Sequence, residues 1–258
     1  MRLNFAPIYK RELRAFFQNP GVYVTLAAFL ALSGWFVYAG LEWFARMSLD
    51  RRMQFQAGMG GLNFTEFVVK DTFGIISFLF LFVIPGLTMR LFAEEKKTGT
   101  FELLVTCPVT DWGMVLGKYL AALTVIVVLL IISLVFPITL SRMGEVEWPV
   151  VGSSYLGLFL VGAAYVAFGT FASTLTENQI IAAIVTFGGL LVFYLIGDMG
   201  FGGVGTLSRV FEALSIRQHS DNLIRGKVLT EDVYYFVAFA VGFLVLANYV
   251  LESRRWRV

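Results

Sequence analysis

One charged interruption, RLFAEEKKTGTFELLVTCPVTDWGMVLGK at 90–118, stands between two long apolar runs, SFLFLFVIPGLTM at 77–89 and YLAALTVIVVLLIISLVF at 119–136. Runs of this kind belong in lipid, since about 20 consecutive apolar residues cross a bilayer as a helix. The interruption is too polar for lipid and too short for a domain of its own. It has to form a small folded knuckle at the membrane surface. A charged knuckle between two spans, in a chain without visible catalytic machinery, suggests a membrane subunit driven by another protein.

The same reasoning gives six candidate spans: Val22–Leu41, Phe73–Met89, Tyr119–Leu140, Val150–Leu175, Ile180–Gly197 and Val233–Leu251. Backbone polar groups in lipid must be satisfied within their own segment, so continuous runs imply helices. An alternating strand pattern, the mark of a membrane barrel, is absent. Pro85 and Gly86 near the end of the second run are expected to kink or shorten it. Composition agrees: 58% of residues are hydrophobic and 15% charged, where soluble domains carry about 25% charged residues. The expected fold is an all-α membrane protein, one transmembrane domain over residues 1–258, without repeats or a soluble domain.

Ahead of the first span, Phe5, Tyr9, Leu13 and Phe16 recur at helical spacing, with Lys10, Arg11, Arg14 and Gln18 on other faces. This predicts an amphipathic helix in the interface, anchored to lipid headgroups by Lys10, Arg11 and Arg14. Asn19-Pro20-Gly21 then breaks it. The first twenty residues are charged and lack a small-residue cleavage site, so no cleaved signal peptide is expected. Before the last span, Leu207, Val210, Phe211 and Leu214 fit one face of a short interfacial or re-entrant helix ended by Gly226. Thr230, Glu231 and Asp232 provide a cap and acidic first turn for the last span.

Eleven of the 20 Lys and Arg residues fall on the side of the termini and nine opposite. Placement adds to this small bias: Arg254, Arg255 and Arg257 abut the last span, and the N-terminal cluster precedes the first. Both termini are therefore expected in the cytoplasm.

Several chemistries find no support. Gly113, Gly117 and Lys118 mimic a phosphate loop, but three residues separate the glycines and Tyr119 comes after the lysine; a phosphate loop needs four, then Ser or Thr. One histidine, His219, and one cysteine, Cys107, make no metal set. Ser215 and His219 lack an oxyanion hole and an orienting partner. Cys107 reads as an apolar filler. A net charge of +2 does not point to nucleic acid. Ionisable groups such as Asp198 and Lys118 stand only at span ends, which argues against ion coupling within the chain.

The knuckle is where outside energy can enter. Glu94, Glu95, Lys96 and Lys97 suit polar contact with a protein. Gly99 allows a turn, and Thr100 can cap a short helix after it. Phe101, Leu103, Leu104 and Val105 form the apolar face of that helix with Glu102 among them, and Pro108 ends it. Thr110 or Asp111 caps the next helix.

EEKKTGTFELLVTCPVT at 94–110, then VLGKYL at 115–120, closely resembles the segment after the second span of ABC-2-type permeases, the membrane subunits of ATP-binding-cassette exporters. IYKRELRAFFQNP at 8–20 resembles their interfacial helix. LSIRQHSDNLIRGKVLTEDVYYF at 214–236 and ESRRW at 252–256 are similar to the gliding-motility branch. The resemblance implies six transmembrane helices and a non-catalytic permease in a bacterial-type inner membrane. It implies a coupling helix at about Glu94–Thr106, with Glu94, Glu95, Lys96, Lys97, Thr98, Gly99, Thr100, Phe101, Glu102, Leu103 and Leu104 contacting a separate ATPase. It implies a pair of ABC ATPase subunits that carry ATP and Mg, with no cofactor in this chain. The second permease is either another copy or a related membrane subunit with an extracytoplasmic domain. Motion is coupled either to export or to mechanical transmission. An ATP-independent channel or secondary transporter is the alternative, and an intramembrane enzyme a third class.

Overall fold

The computed structural model describes residues 5–54, 68, 70–100, 110–197 and 206–255, with backbone alone at 47–54, 206–209 and 254–255. The described residues are helical apart from their connections. In chain order the helices are α1 (Ala6–Gln18), α2 (Pro20–Gln54), α3 (Lys70–Thr88), α4 (Ala93–Lys97), α5 (Asp111–Ser133), α6 (Val135–Leu140), α7 (Trp148–Leu175), α8 (Gln179–Leu195), α9 (Thr206–Leu214), α10 (Ile216–Ile224) and α11 (Thr230–Arg255). Five stretches are long and apolar enough to cross a membrane: Pro20–Arg46, Lys70–Lys97, Asp111–Leu140, Trp148–Leu175 and Thr230–Ser253. Helix α8 is apolar but has 17 residues, so at 1.5 Å per residue it is roughly 26 Å long, close to the ~30 Å hydrocarbon thickness.

The apolar runs are found where expected, while the helices overrun them. Helix α2 continues past Leu41 to Gln54 as one 35-residue helix, because polarity ends the apolar stretch without ending helical propensity. Arg46 pairs with Glu42 one turn earlier and supports the extension. Helix α3 passes through Pro85 and stops at Thr88. Helix α5 starts at Asp111, well before Tyr119, since the Thr110 Oγ1 accepts the Gly113 N–H at 3.2 Å. The third span is also broken at Leu134, between α5 and α6. Pro137 lacks the N–H that would bond the Ser133 carbonyl, and the Leu134 N–H bonds back to Ile131 O at 3.2 Å in a tightened turn.

The single helix expected before the last span is two. Ser215 adopts an extended conformation between α9 and α10 and accepts the Gln218 N–H at 3.4 Å. Gly226 does end α10, at φ +81°, a conformation side chains disfavour. Helix α11 begins at Thr230 with Glu231 and Asp232 in its first turn.

Helix α7 is the centre of the bundle and packs against α3, α5, α8, α10 and α11. In its most apolar stretch 83% is buried, against 22% for α2. Lipid tails are as apolar as leucine, so close packing has to supply what water exclusion cannot. Small residues allow that approach, most clearly at Gly169. A Cβ there would stand 2.2 Å from Thr88 Oγ1 and 2.8 Å from Thr88 Cβ of α3. Elsewhere α7, α8 and α11 interlock through rings: Phe168 meets Phe243 at 4.8 Å, Phe193 meets Phe239 at 5.1 Å, and Phe239 meets Phe243 at 4.7 Å. Trp35, Ile131, Ile184 and Val241 remain exposed on the outside of the bundle, as lipid contact requires.

Gly169→Ala is therefore expected to cost about 1–3 kcal/mol by forcing α3 from α7. Gly188→Ala, at a position with nothing within 4 Å, should be neutral or stabilising by up to about 1 kcal/mol. Thermal unfolding of the two variants in one detergent checks the contrast; equal shifts would refute the close-packing account.

Candidate functional site

Helix α1 lies against α5. Ile8 and Phe16 are buried, and Tyr9 Oη shares a hydrogen bond with Thr124 Oγ1 at 3.1 Å. The predicted apolar stripe is rotated. Phe5 is 39% exposed, and Ile8 takes the inner position beside Gly117 of α5. This rotation brings Glu12 inward. Lys10 and Arg14 stay exposed.

Four charges meet where α1, α4 and α5 converge. The Lys118 side chain is 1% exposed. Its Nζ donates to Glu12 Oε1 at 3.1 Å and lies 2.9 Å from Glu95 Oε2, an ionic contact whose angle falls short of a hydrogen bond. Arg11 donates to Glu12 Oε1 at 2.6 Å and to Glu95 Oε1 at 2.5 Å. Two cations and two carboxylates thus close a neutral quartet, and the Phe92 ring adds a cation–π contact, its centroid 5.1 Å from Lys118 Nζ. Burial alone raises the Glu12 carboxyl, but the Lys118 ammonium and Arg11 guanidinium outweigh it and hold the group below the usual carboxylate range. Burial lowers Arg11, yet Glu12 and Glu95 leave it raised overall.

Helix α4 is fastened on its other side to α7. Its first N–H groups would be orphaned by the turn after α3. Ser173 Oγ accepts the Phe92 N–H at 3.0 Å and the Ala93 N–H at 3.1 Å, and donates to Met89 O at 3.2 Å. Lys96 Nζ donates to Thr174 O. One α7 hydroxyl therefore serves as a cap supplied from a distant part of the chain. At the far end of α4, Gly99 has φ +71°, as a turn there requires, and helix resumes at Thr100.

The expected knuckle residues divide accordingly. Glu94, Lys97, Thr98, Gly99 and Thr100 are exposed, while Glu95 and Lys96 are partly buried and held by the bundle. Phe101, Glu102, Leu103 and Leu104 lie outside the described residues, as do Val105, Thr106, Cys107 and Pro108. Glu12, Lys118, Phe92 and Ser173 join the site without having been singled out for it. Lys118 alone gave a signal, a lysine at the start of an apolar run.

At the opposite end of the bundle, His219 Nδ1 is 2.6 Å from Asp232 Oδ1, and its ring stacks on Tyr235 at 4.2 Å. The Asp232 side chain is 3% exposed. The pair ties α10 to α11. Among the described residues no group of three or more His, Cys, Asp or Glu could hold a metal.

Lys118→Met should destabilise by roughly 3–5 kcal/mol, because Glu12 and Glu95 lose their buried cation. Since the native Glu12 carboxyl is lowered, its contribution is complete above the unfolded carboxylate range and fades as pH falls through the native value. Unfolding at pH 7 and near pH 3 tests both: the wild-type protein loses this stability on acidification, whereas Lys118→Met loses less.

The geometry can be set beside known proteins. No curated protein matches the chain. A family model for the ABC-2 family transporter protein matches residues 6–250. This covers α1, the charge quartet, α7 and nearly all of the last span, and the chain therefore belongs to the ABC-2 transporter family, whose members are membrane components of ABC transporters.

Proposed function

We propose that this chain is the permease subunit through which a separate ABC ATPase pair, carrying ATP and Mg, moves the membrane helices. The observation that carries the reading is the fastening of α4. Glu95 ties it to α1 and α5, while Ser173 and Thr174 tie it to α7. A short helix held to three elements cannot move without moving them. Packed interiors pass such displacement on instead of absorbing it.

In this reading Glu94, Lys97, Thr98, Gly99 and Thr100 present the docking face, and Phe101, Glu102, Leu103 and Leu104 continue it. Glu95 and Lys96 transmit the push to the bundle. The end of the bundle holding α1 and α4 is then cytoplasmic, with both termini on that side. Lys10 and Arg14 anchor α1 to headgroups, and Arg11 locks it to α4. A second permease, either another copy or a related subunit with an extracytoplasmic domain, completes the pair. The output is export of a substrate or a mechanical movement relayed across the membrane. The motifs near α10 and α11 favour the gliding-motility branch.

The test is a mild-detergent pull-down from native membranes with an ATPase assay. The wild-type chain should bring down a stoichiometric ATPase. Combined Glu94→Arg, Lys97→Glu and Glu102→Arg should weaken that association at least tenfold, since each lost charge contact at a docked surface is worth about 1–3 kcal/mol. Glu95→Gln should keep the ATPase bound and lower the response of ATP hydrolysis to the permease. Undiminished association in the triple variant would sink the placement of the interface. A chain that comes down folded and alone would instead favour an ATP-independent channel or carrier.

A further inference from the structure

Between α1, the start of α2, the end of α3 and α4 lies a cavity of about 530 Å³. Its lining is split by chemistry. Phe16, Val22 and Leu87 form an apolar wall, and Asn19, Arg90 and Glu94 a polar one. The quartet of Arg11, Glu12, Glu95 and Lys118 also borders it, but those charges are already matched to one another.

Arg90 stands apart. It is partly buried, and among the described residues it has neither an ion pair nor a hydrogen-bond partner. Its Nη2 lies 3.7 Å, and Asn19 Oδ1 3.0 Å, from the point a Cβ on Gly21 would occupy. Asn19 Oδ1 accepts the Gly21 N–H at 2.8 Å, so its Nδ2 donor points away from that bond. A guanidinium and a carboxamide thus flank a space kept open by the missing side chain of Gly21. Among the described residues no carboxylate pairs with Arg90, which leaves its guanidinium able to hold an anion.

We propose that this cavity binds the phosphodiester of a membrane phospholipid from the leaflet on the α1 side. Arg90 and Asn19 donate to the phosphate oxygens, in the charge-assisted geometry guanidinium groups favour. The glycerol and the first acyl carbons lie on Phe16, Val22 and Leu87. The apolar wall favours a lipid over a soluble phosphate, because it meets the polar wall where the chain passes from the interfacial helix into its first span. Glu94 at the rim adds one carboxylate, which selects a headgroup carrying a primary ammonium. The inference needs no ATPase, and it shares only Glu94, exposed at the cavity rim, with the docking face proposed above.

The experiment is saturable binding of phosphatidylethanolamine to the full-length chain in mild detergent, read by native mass spectrometry and thermal shift. Arg90→Gln should weaken binding roughly tenfold or more, the value of a charge-assisted contact. Arg90→Lys should retain most of it, and Gly21→Leu should abolish it by filling the cradle. Arg142→Gln, exposed at the other end of the bundle, should bind as the wild type does. Wild-type binding in both Arg90→Gln and Gly21→Leu overturns the proposal. Equal competition by soluble glycerophosphoethanolamine overturns the lipid assignment. The two variants reach the cradle by different routes, so misfolding of one leaves the other decisive.

Discussion

Lys118 is almost wholly shut off from bulk solvent where it lies. Its side chain is 1% exposed, and a lysine deprived of water needs carboxylates nearby or must lose its charge. Neither carboxylate it uses is local: Glu12 comes from α1 and Glu95 from α4. The demand of one buried ammonium therefore fixes two otherwise separate surface elements against a membrane helix. Arg11 bridges the same two carboxylates, so neither can turn away without breaking contact with two cations. Such a cluster adds little net stability over an apolar packing of equal volume, but it is costly to break in part. That property suits a joint whose parts must move together.

Much of the fold could be read from the sequence because lipid imposes a simple rule. Uninterrupted apolar runs become helices, and all six runs are helical in the structure apart from Met89 at the end of the second, the turn at Leu134 and the end of the fifth. The ends were less legible. Gln54 closes α2 and Asp111 opens α5 because hydropathy marks where lipid stops, while caps and breakers mark where helix stops. Thr110 was readable as a cap by its residue type. The break at Leu134 had a local signal in Pro137 that the apolar composition masked, and the division of α9 from α10 had one in Ser215, a capping residue type whose side chain accepts the Gln218 N–H.

The site was legible in its location but not in its wiring. The charges at 94–97 marked a polar segment, yet nothing local separates Glu94, which is exposed, from Glu95, which is bound inward. Helical phase decides between them, and that phase is set by Ser173, about 80 positions later, capping Phe92 and Ala93. Glu12 was hidden for the same reason. On α1 it reads as one more interfacial charge until α5 places Lys118 opposite it. The rotation of α1 that buries Ile8 and exposes Phe5 likewise comes from the partner helix, not from the amphipathic pattern.

Helix α7 relates the two ends of the molecule. Near one end it holds α4 through Ser173 and Thr174. One turn further in, Phe171 and Phe168 touch Phe243 of α11, which continues through Phe239 to Tyr235. Tyr235 stacks on His219 of α10, and its hydroxyl donates to Leu214 O at 2.7 Å. Gly157 of α7 also lies against Leu223 of α10. The contacts from α4 to the opposite end are thus continuous and made largely by rigid rings and close backbone approaches. A contiguous chain is not by itself a coupling pathway. It does limit how the bundle can respond: a displacement of α4 meets stiff groups along α7 and α11, whereas the outer face of α2 is turned to lipid. The stiff path ends at α10 and the start of α11, where His219 and Asp232 join them, and under the proposed function that is the end at which movement delivered to α4 is to be sought.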